Sequence, residues 1–112
     1  MFCDAMLHRV VCYKKAGDYD MVYSDCTSLL DIEGGPFKDM AHHYRAKVFA
    51  HHSEWFEAIE ENKKALLLNP RLADAFLDIS NAYTQLGKEE EAEENRQAYE
   101  VLKRGKIWKG EL

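Results

Sequence analysis

The chain has 112 residues, enough for about one domain, and 46% of them are hydrophobic, so it can build a core. Twenty acidic residues against 15 basic ones give a net charge of −5, which argues against a general nucleic-acid binder. There are only two prolines, and no apolar run approaches the roughly 18 residues that a membrane span requires. We therefore expect an all-helical globular domain.

The cysteines and the N-terminal residues indicate the cellular compartment in which we expect the chain. Cys3, Cys12 and Cys26 are odd in number and lack the CxxC spacing of disulfide frameworks and zinc knuckles. The opening residues MFCDAMLHRV lack the basic start and long apolar block of a secretory signal. We expect free thiols and a cytoplasmic location, unless the chain is a fragment of a longer protein with a signal or anchor elsewhere.

Six segments of about 14 to 17 residues follow one another, each with apolar residues near i, i+3, i+4 and i+7, the period of an amphipathic helix. Gly17 and Gly87 are expected to end helices in the left-handed conformation. Ser53 is expected to cap the fourth helix, and Asn69-Pro70 to end it, because a residue before proline avoids the helical region.

The paired segments repeat one another. A shift of 34 residues relates the middle pair to the last one and aligns small or aromatic residues: Ala41 with Ala75, Ala46 with Ser80, Phe49 with Tyr83, and Ala58 with Ala92. A shift of 36 in the other direction places Phe49 on Tyr13 and Trp55 on Tyr19. The first pair departs from the pattern, because Val22 and Leu29 stand where the middle pair has alanines.

On these residues the chain resembles the tetratricopeptide repeat family, whose unit is a 34-residue helix–turn–helix, over about residues 3–104. The resemblance implies an all-α fold: a right-handed solenoid of helical hairpins with about six helices and three repeats. We expect one domain, 1–112, with repeats at about 3–38, 39–72 and 73–104 and a short basic tail at 105–112. Ala46 and Ala58 should mark the close approach of two helices, with Phe49, Trp55 and Phe56 filling the space beside them.

The histidines suggest a metal site, but their spacing does not support one. His43 and His51 are eight residues apart, about 12 Å along a helix, and adjacent histidines such as His42 and His43 diverge by about 100°. Cys12 and Cys26 fall on faces expected to be packed, where cysteine usually acts as a small hydrophobe. With no recognisable catalytic motif, we expect no enzyme, no metal and no cofactor.

The resemblance implies that the first helices of the three hairpins line a concave groove. The candidate partner-binding residues on it are Leu7, Val11, His43, Tyr44, Lys47, Leu77, Asp78 and Asn81. The best-known groove of the family holds a C-terminal carboxylate with lysine, asparagine and arginine side chains. The corresponding residues here are Leu7, Val11, Tyr44, Asp74 and Asp78. We therefore do not expect a carboxylate-clamp co-chaperone.

We interpret the sequence as a protein-interaction module or scaffold that binds a peptide or helix in this groove. The alternative is a structural unit that associates with its own copies through the groove or the terminal helix, with no separate peptide ligand. We expect the last hairpin to leave one face without a capping helix, so that either the tail covers this face with Trp108 or two chains pair there. We expect a homodimer.

Overall fold

The computed structural model describes residues 2–104, which form six α-helices joined by short turns. The helices are α1 (Phe2–Ala16), α2 (Tyr19–Asp31), α3 (Lys38–His51), α4 (Trp55–Leu68), α5 (Ala73–Gln85) and α6 (Glu89–Arg104). No strand occurs between residues 2 and 104. The all-α prediction is confirmed, while the predictions about the tail, including Trp108, lie outside the described residues.

The helices are stacked in chain order. Each packs against the helix that precedes it and the one that follows it, and α3 also touches α5. This nearest-neighbour packing, in three helical hairpins, is the arrangement of a repeat solenoid. The first helices of successive hairpins therefore lie side by side, which brings α1, α3 and α5 to one surface.

The turn within each hairpin uses one residue in the left-handed conformation. Gly17 and Gly87 have φ of 79° and 78°, as predicted. Ser53, which corresponds to both glycines in the repeat, takes the same conformation with φ of 61°. The prediction that Ser53 caps α4 is therefore wrong, because Ser53 forms the turn and Glu54 stands at the helix start.

The break after α4 follows the sequence prediction. The helix ends at Leu68, and Asn69 has an extended φ of −145°, as a residue before proline prefers. The Asn69 side-chain amide donates a hydrogen bond to the Asp39 carboxylate at 3.1 Å. This contact ties the turn to the first turn of α3 in the same hairpin.

Small residues mark where the two helices of a hairpin cross. Ala46 and Ala58 are 1% and 3% exposed in the middle hairpin. At the equivalent crossing of the last hairpin, the Ser80 hydroxyl donates to the Ala92 carbonyl at 2.7 Å. Phe56 departs from expectation: it is 62% exposed, because it lies on the outer side of α4 rather than beside the crossing.

The close crossing predicts a large effect of side-chain size at Ala58. Ala58→Leu should lower the free energy of unfolding by about 1–3 kcal/mol, because the added carbons overpack the contact between α3 and α4. Urea denaturation measures the change. Glu60→Leu, on the exposed side of the same helix, is the matched control and should change stability little. Equal midpoints for the two variants would contradict this account of the hairpin.

Candidate functional site

The candidate groove residues differ in how much of their side chains reaches the surface. Leu7, Val11, Tyr44 and Leu77 are half-buried, and Tyr44 packs against the hydrophobic core of the first two hairpins. Asn81, on α5, is exposed. This surface of α1, α3 and α5 therefore offers partly covered apolar side chains next to an accessible amide.

An ion pair crosses between two repeats on this surface. The Lys47 ammonium on α3 lies 2.9 Å from the Asp78 carboxylate on α5. Both side chains are 25% exposed, so the pair is partly shielded from water. Lys47 and Asp78 were both predicted to bind a partner, and in the structure their charges neutralise each other.

His43 lies beneath the groove rather than on it. The side chain is buried, and its Nδ1 donates to the Asn62 amide oxygen on α4 at 2.8 Å. Burial lowers the pKa of His43, and the hydrogen bond to Asn62 together with Asp78 opposes this only in part. The ring is therefore neutral near pH 7, and it connects the groove helix to the second helix of its hairpin.

A cleft of about 330 Å³ opens where the three repeats meet. Its lining comes from five helices: Lys14, Tyr19, Lys47, Ala50, His51, Trp55, Asp78 and Asn81. The His51 ring stacks on the Tyr19 ring with 3.9 Å between the centroids. Lys47, Asp78 and Asn81 were candidate site residues from the sequence, and the cleft brings these three together.

Three residues that line the cleft were not predicted as site residues from the sequence: Lys14, Tyr19 and Trp55. A signal for two of them was present, since Tyr19 and Trp55 occupy the same position in neighbouring repeats. Both begin the second helix of their hairpins, next to the turn. The candidate set was restricted to first helices, and this excluded the aromatic side chains that reach the cleft from second helices.

A second set of polar contacts joins the two helices within each of the first two hairpins. Arg45 on α3 forms an ion pair at 3.0 Å with Glu61 on α4, and Arg9 on α1 forms one at 2.9 Å with Asp25 on α2. The two pairs are related by the same 36-residue shift as the repeats. They are part of the repeat pattern, although the sequence analysis did not identify them.

The cysteines and histidines of residues 2–104 do not gather into a group that could hold a metal ion. Burial raises the pKa of the Cys26 thiol to about 12, so it remains protonated. Cys12 is exposed, which corrects the expectation that it packs, and its Sγ lies 3.6 Å from His8 Nε2. His42 donates to Glu61 at 2.9 Å. Among residues 2–104, no group of three or more possible metal ligands is present.

The chain was compared with membrane-spanning helices, with known protein families and with curated proteins. None of the helices within residues 2–104 is long and apolar enough to cross a membrane. The sequence matches no family model, and a search of curated proteins gave no match. Solved structures, in contrast, match the whole helical array.

Solved structures of at least two proteins resemble the chain. One is the first TPR of Spaghetti (RPAP3) bound to the HSP90 peptide SRMEEVD, with a TM-score of 0.81 and 21% identity over 92% of this chain and 80% of that one. The others are MamA from AMB-1, with a TM-score of 0.74 and 21% identity over 92% of this chain and 55% of that one, and a MamA point mutant. The mutant has a TM-score of 0.74 and 20% identity over 89% of this chain and 72% of that one.

These similarities confirm the fold predicted from the repeats. The described chain is a right-handed helical-hairpin solenoid of the tetratricopeptide-repeat type, with six helices in three hairpins.

Proposed function

We propose that this chain is a protein-interaction module that holds an extended peptide or an amphipathic helix in the groove formed by α1, α3 and α5. The observation that most supports this proposal is the cleft lined by all three repeats. Tyr19 and Trp55 supply apolar surface there, and the exposed Asn81 amide can bond to a ligand backbone. Apolar surface beside polar groups is typical of docking sites.

We propose further that the chain acts without catalysis, metal or cofactor, and that its ligand is a protein rather than a nucleic acid. The net charge of −5 supports the second point. A cytoplasmic location is part of the same proposal. The three free cysteines among the described residues support it, since free thiols persist in reducing compartments.

The first test is peptide binding by groove variants. Peptides selected from a random dodecapeptide display library on the wild-type protein should bind Tyr44→Ala about 30-fold more weakly, because aromatic anchors commonly contribute 2 kcal/mol or more. Tyr44 also packs on the core, so Asn81→Ala, at an exposed site, is needed as a variant that leaves the fold intact. Calorimetric titration measures both.

The control for this test is Lys63→Ala, at an exposed site on α4. It should bind the selected peptides like the wild type. If Tyr44→Ala and Asn81→Ala both retain full affinity, the binding site is not in this groove. Asp78→Lys should in addition change which peptides are selected, because it breaks the pair with Lys47 and reverses a charge.

The proposal excludes carboxylate-clamp recognition. The RPAP3 domain is bound to SRMEEVD, but this chain has Leu7, Val11 and Tyr44 where the clamp requires polar or basic groups. Asp74 and Asp78 bring negative charge to the remaining positions. We therefore expect SRMEEVD to bind more weakly than about 1 mM in the same titration. Micromolar binding would contradict this part of the proposal.

Self-association is a second candidate function, and the end of the solenoid supports it. Val101 on α6 is 51% exposed, and Leu77, Tyr99 and Leu102 are only half-buried. A cleft of about 450 Å³ lies on this face, with a mainly apolar lining: Pro70, Phe76, Glu94, Gln97, Ala98, Val101 and Leu102. A second copy could cover this surface.

Sedimentation tests pairing through this face. At micromolar concentration we expect twice the mass of one chain, falling to the mass of one chain on dilution or in Val101→Glu. Lys63→Glu, at an exposed site on α4 that does not line this cleft, is the control that should leave pairing intact. A monomer that loses stability when residues 105–112 are removed would show instead that the tail covers the face.

A further inference from the structure

Resting on the proposed function, we infer that the cleft between the three repeats receives an acidic side chain of the bound peptide, and that Lys14 binds its carboxylate. Lys14 lies in the last turn of α1 and is half-buried at the cleft. The acidic side chain would occupy one subsite of the groove and give the ligand a negative charge at that point.

The charges that line the cleft do not cancel. Lys47 and Asp78 neutralise each other at 2.9 Å, and besides Lys14 no other lining residue is a lysine, arginine, aspartate or glutamate. Among the ion pairs of residues 2–104, none includes Lys14. One positive charge therefore remains without a counter-charge, which favours a ligand group with a single negative charge.

The walls of the cleft suit the stem of such a side chain. Tyr19 and the His51 ring stacked on it, together with Trp55 and Ala50, provide flat and apolar surfaces. The volume of about 330 Å³ is near the lower end of small-molecule sites, which suits one or two side chains of a peptide. A glutamate would place its methylene groups against these rings and its carboxylate at Lys14.

The position of Asn81 suits an extended peptide. An asparagine amide both donates and accepts, so it can pair with a peptide backbone without selecting for sequence. Asn81 lies on the same cleft as Lys14 but on α5, whereas Lys14 comes from α1. A peptide that contacts both residues would cross the groove from the first repeat to the third.

The test uses octapeptide libraries with acetylated N-termini and amidated C-termini, so that no terminal charge is present. One library fixes glutamate at each central position in turn, and the other fixes glutamine. At one of the central positions, the full chain should retain peptides with glutamate about tenfold better than peptides with glutamine, since a hydrogen bond to a charged group is a strong one. Lys14→Gln should abolish this preference, and Lys15→Gln, the exposed neighbour with the same change of charge, should keep it.

The outcomes separate the two proposals. Peptide selection without a glutamate preference, or a preference that survives Lys14→Gln, overturns the inference about Lys14 and leaves the groove proposal standing. Retention of no peptide at all by the wild type overturns both. A further library with free C-termini distinguishes the source of the carboxylate: a preference for the free terminus in place of glutamate would overturn the side-chain assignment.

Discussion

Replacing Glu61 with alanine is expected to lower the free energy of unfolding by about 3 kcal/mol, the effect of removing one partner from a buried charge pair. The Glu61 side chain is 8% exposed, and its carboxylate is 3.0 Å from the Arg45 guanidinium and 2.9 Å from His42 Nδ1. Arg45 is itself only 17% exposed. Without Glu61, its positive charge would stay largely buried with no carboxylate to balance it.

Arg45 also connects the middle hairpin to the first one. Its guanidinium donates to the Thr27 hydroxyl at 3.3 Å and lies 5.3 Å from the centre of the Tyr23 ring. Loss of Glu61 therefore affects the interface between hairpins as well as the packing of α3 on α4. Because repeat solenoids are stabilised by such nearest-neighbour interfaces, unfolding of the first hairpin should become easier as well.

The stabilisation by Glu61 should depend on pH in a defined direction. Burial by itself raises the pKa of Glu61, but the hydrogen bonds from Arg45 and His42 outweigh it and hold the pKa below the ordinary value. A lowered pKa in the folded state gives stability that is complete above the unfolded-state pKa, about 4.3. This stability is lost as the pH falls through the folded-state pKa.

Urea denaturation of the wild type and Glu61→Ala from pH 7 to pH 3 measures this dependence. The difference between the two proteins should be constant near neutrality and shrink on the acid side of about pH 4.3. Glu60→Ala, the exposed neighbour, should differ from the wild type by no more than about 0.5 kcal/mol throughout. A difference between wild type and Glu61→Ala that persists unchanged at pH 3 would assign the effect to lost packing rather than to the ion pair.

The sequence predicted the six helices and their pairing because these depend on periodic features. The apolar period, the left-handed glycines and the break at Asn69 are local, and the 34-residue shift locates the crossing at Ala46 and Ala58. Ser53 shows where a local rule failed. Serine is a good helix cap, but the repeat position it occupies is that of Gly17 and Gly87, so repeat register decided its conformation rather than capping preference.

The polar contacts were less predictable, for two different reasons. Arg45 and Glu61 are charged, and charged residues in a predicted helix are normally expected on its solvent-exposed face. The equivalent pair of Arg9 and Asp25 in the first hairpin was nevertheless a signal in the sequence that the pair is repeated. The pair between Lys47 and Asp78 joins side chains from different hairpins. Its geometry depends on how one hairpin is rotated on the next, a quantity that helical periodicity does not determine. The binding role of the groove residues stays a prediction.

The first hairpin departs most from the repeat pattern, and its departure has a structural counterpart. Val10, Val22 and Leu29 stand where the middle hairpin has Ala46, Ala58 and Ala65. All three are fully buried in one cluster with residues of both helices and of α3. Larger side chains at a crossing require a greater distance between the helix axes than alanines do, so we expect α1 and α2 to pack less closely than α3 and α4.

The substitution Leu29→Ala therefore restores the residue of the repeat pattern and is nevertheless expected to destabilise the protein by about 2–5 kcal/mol. Leu29 is 0% exposed, so an alanine there would leave a cavity. The helices could not move together to fill this cavity, because the neighbouring valines hold them apart. Thermal and urea denaturation measure the loss. Leu67→Ala, at a leucine that is 85% exposed, is the control and should change stability by at most about 0.5 kcal/mol. If Leu29→Ala proved neutral or stabilising, the first hairpin would be able to adopt the closer helix packing of the alanine pattern, and Leu29 would not be required to fill the crossing.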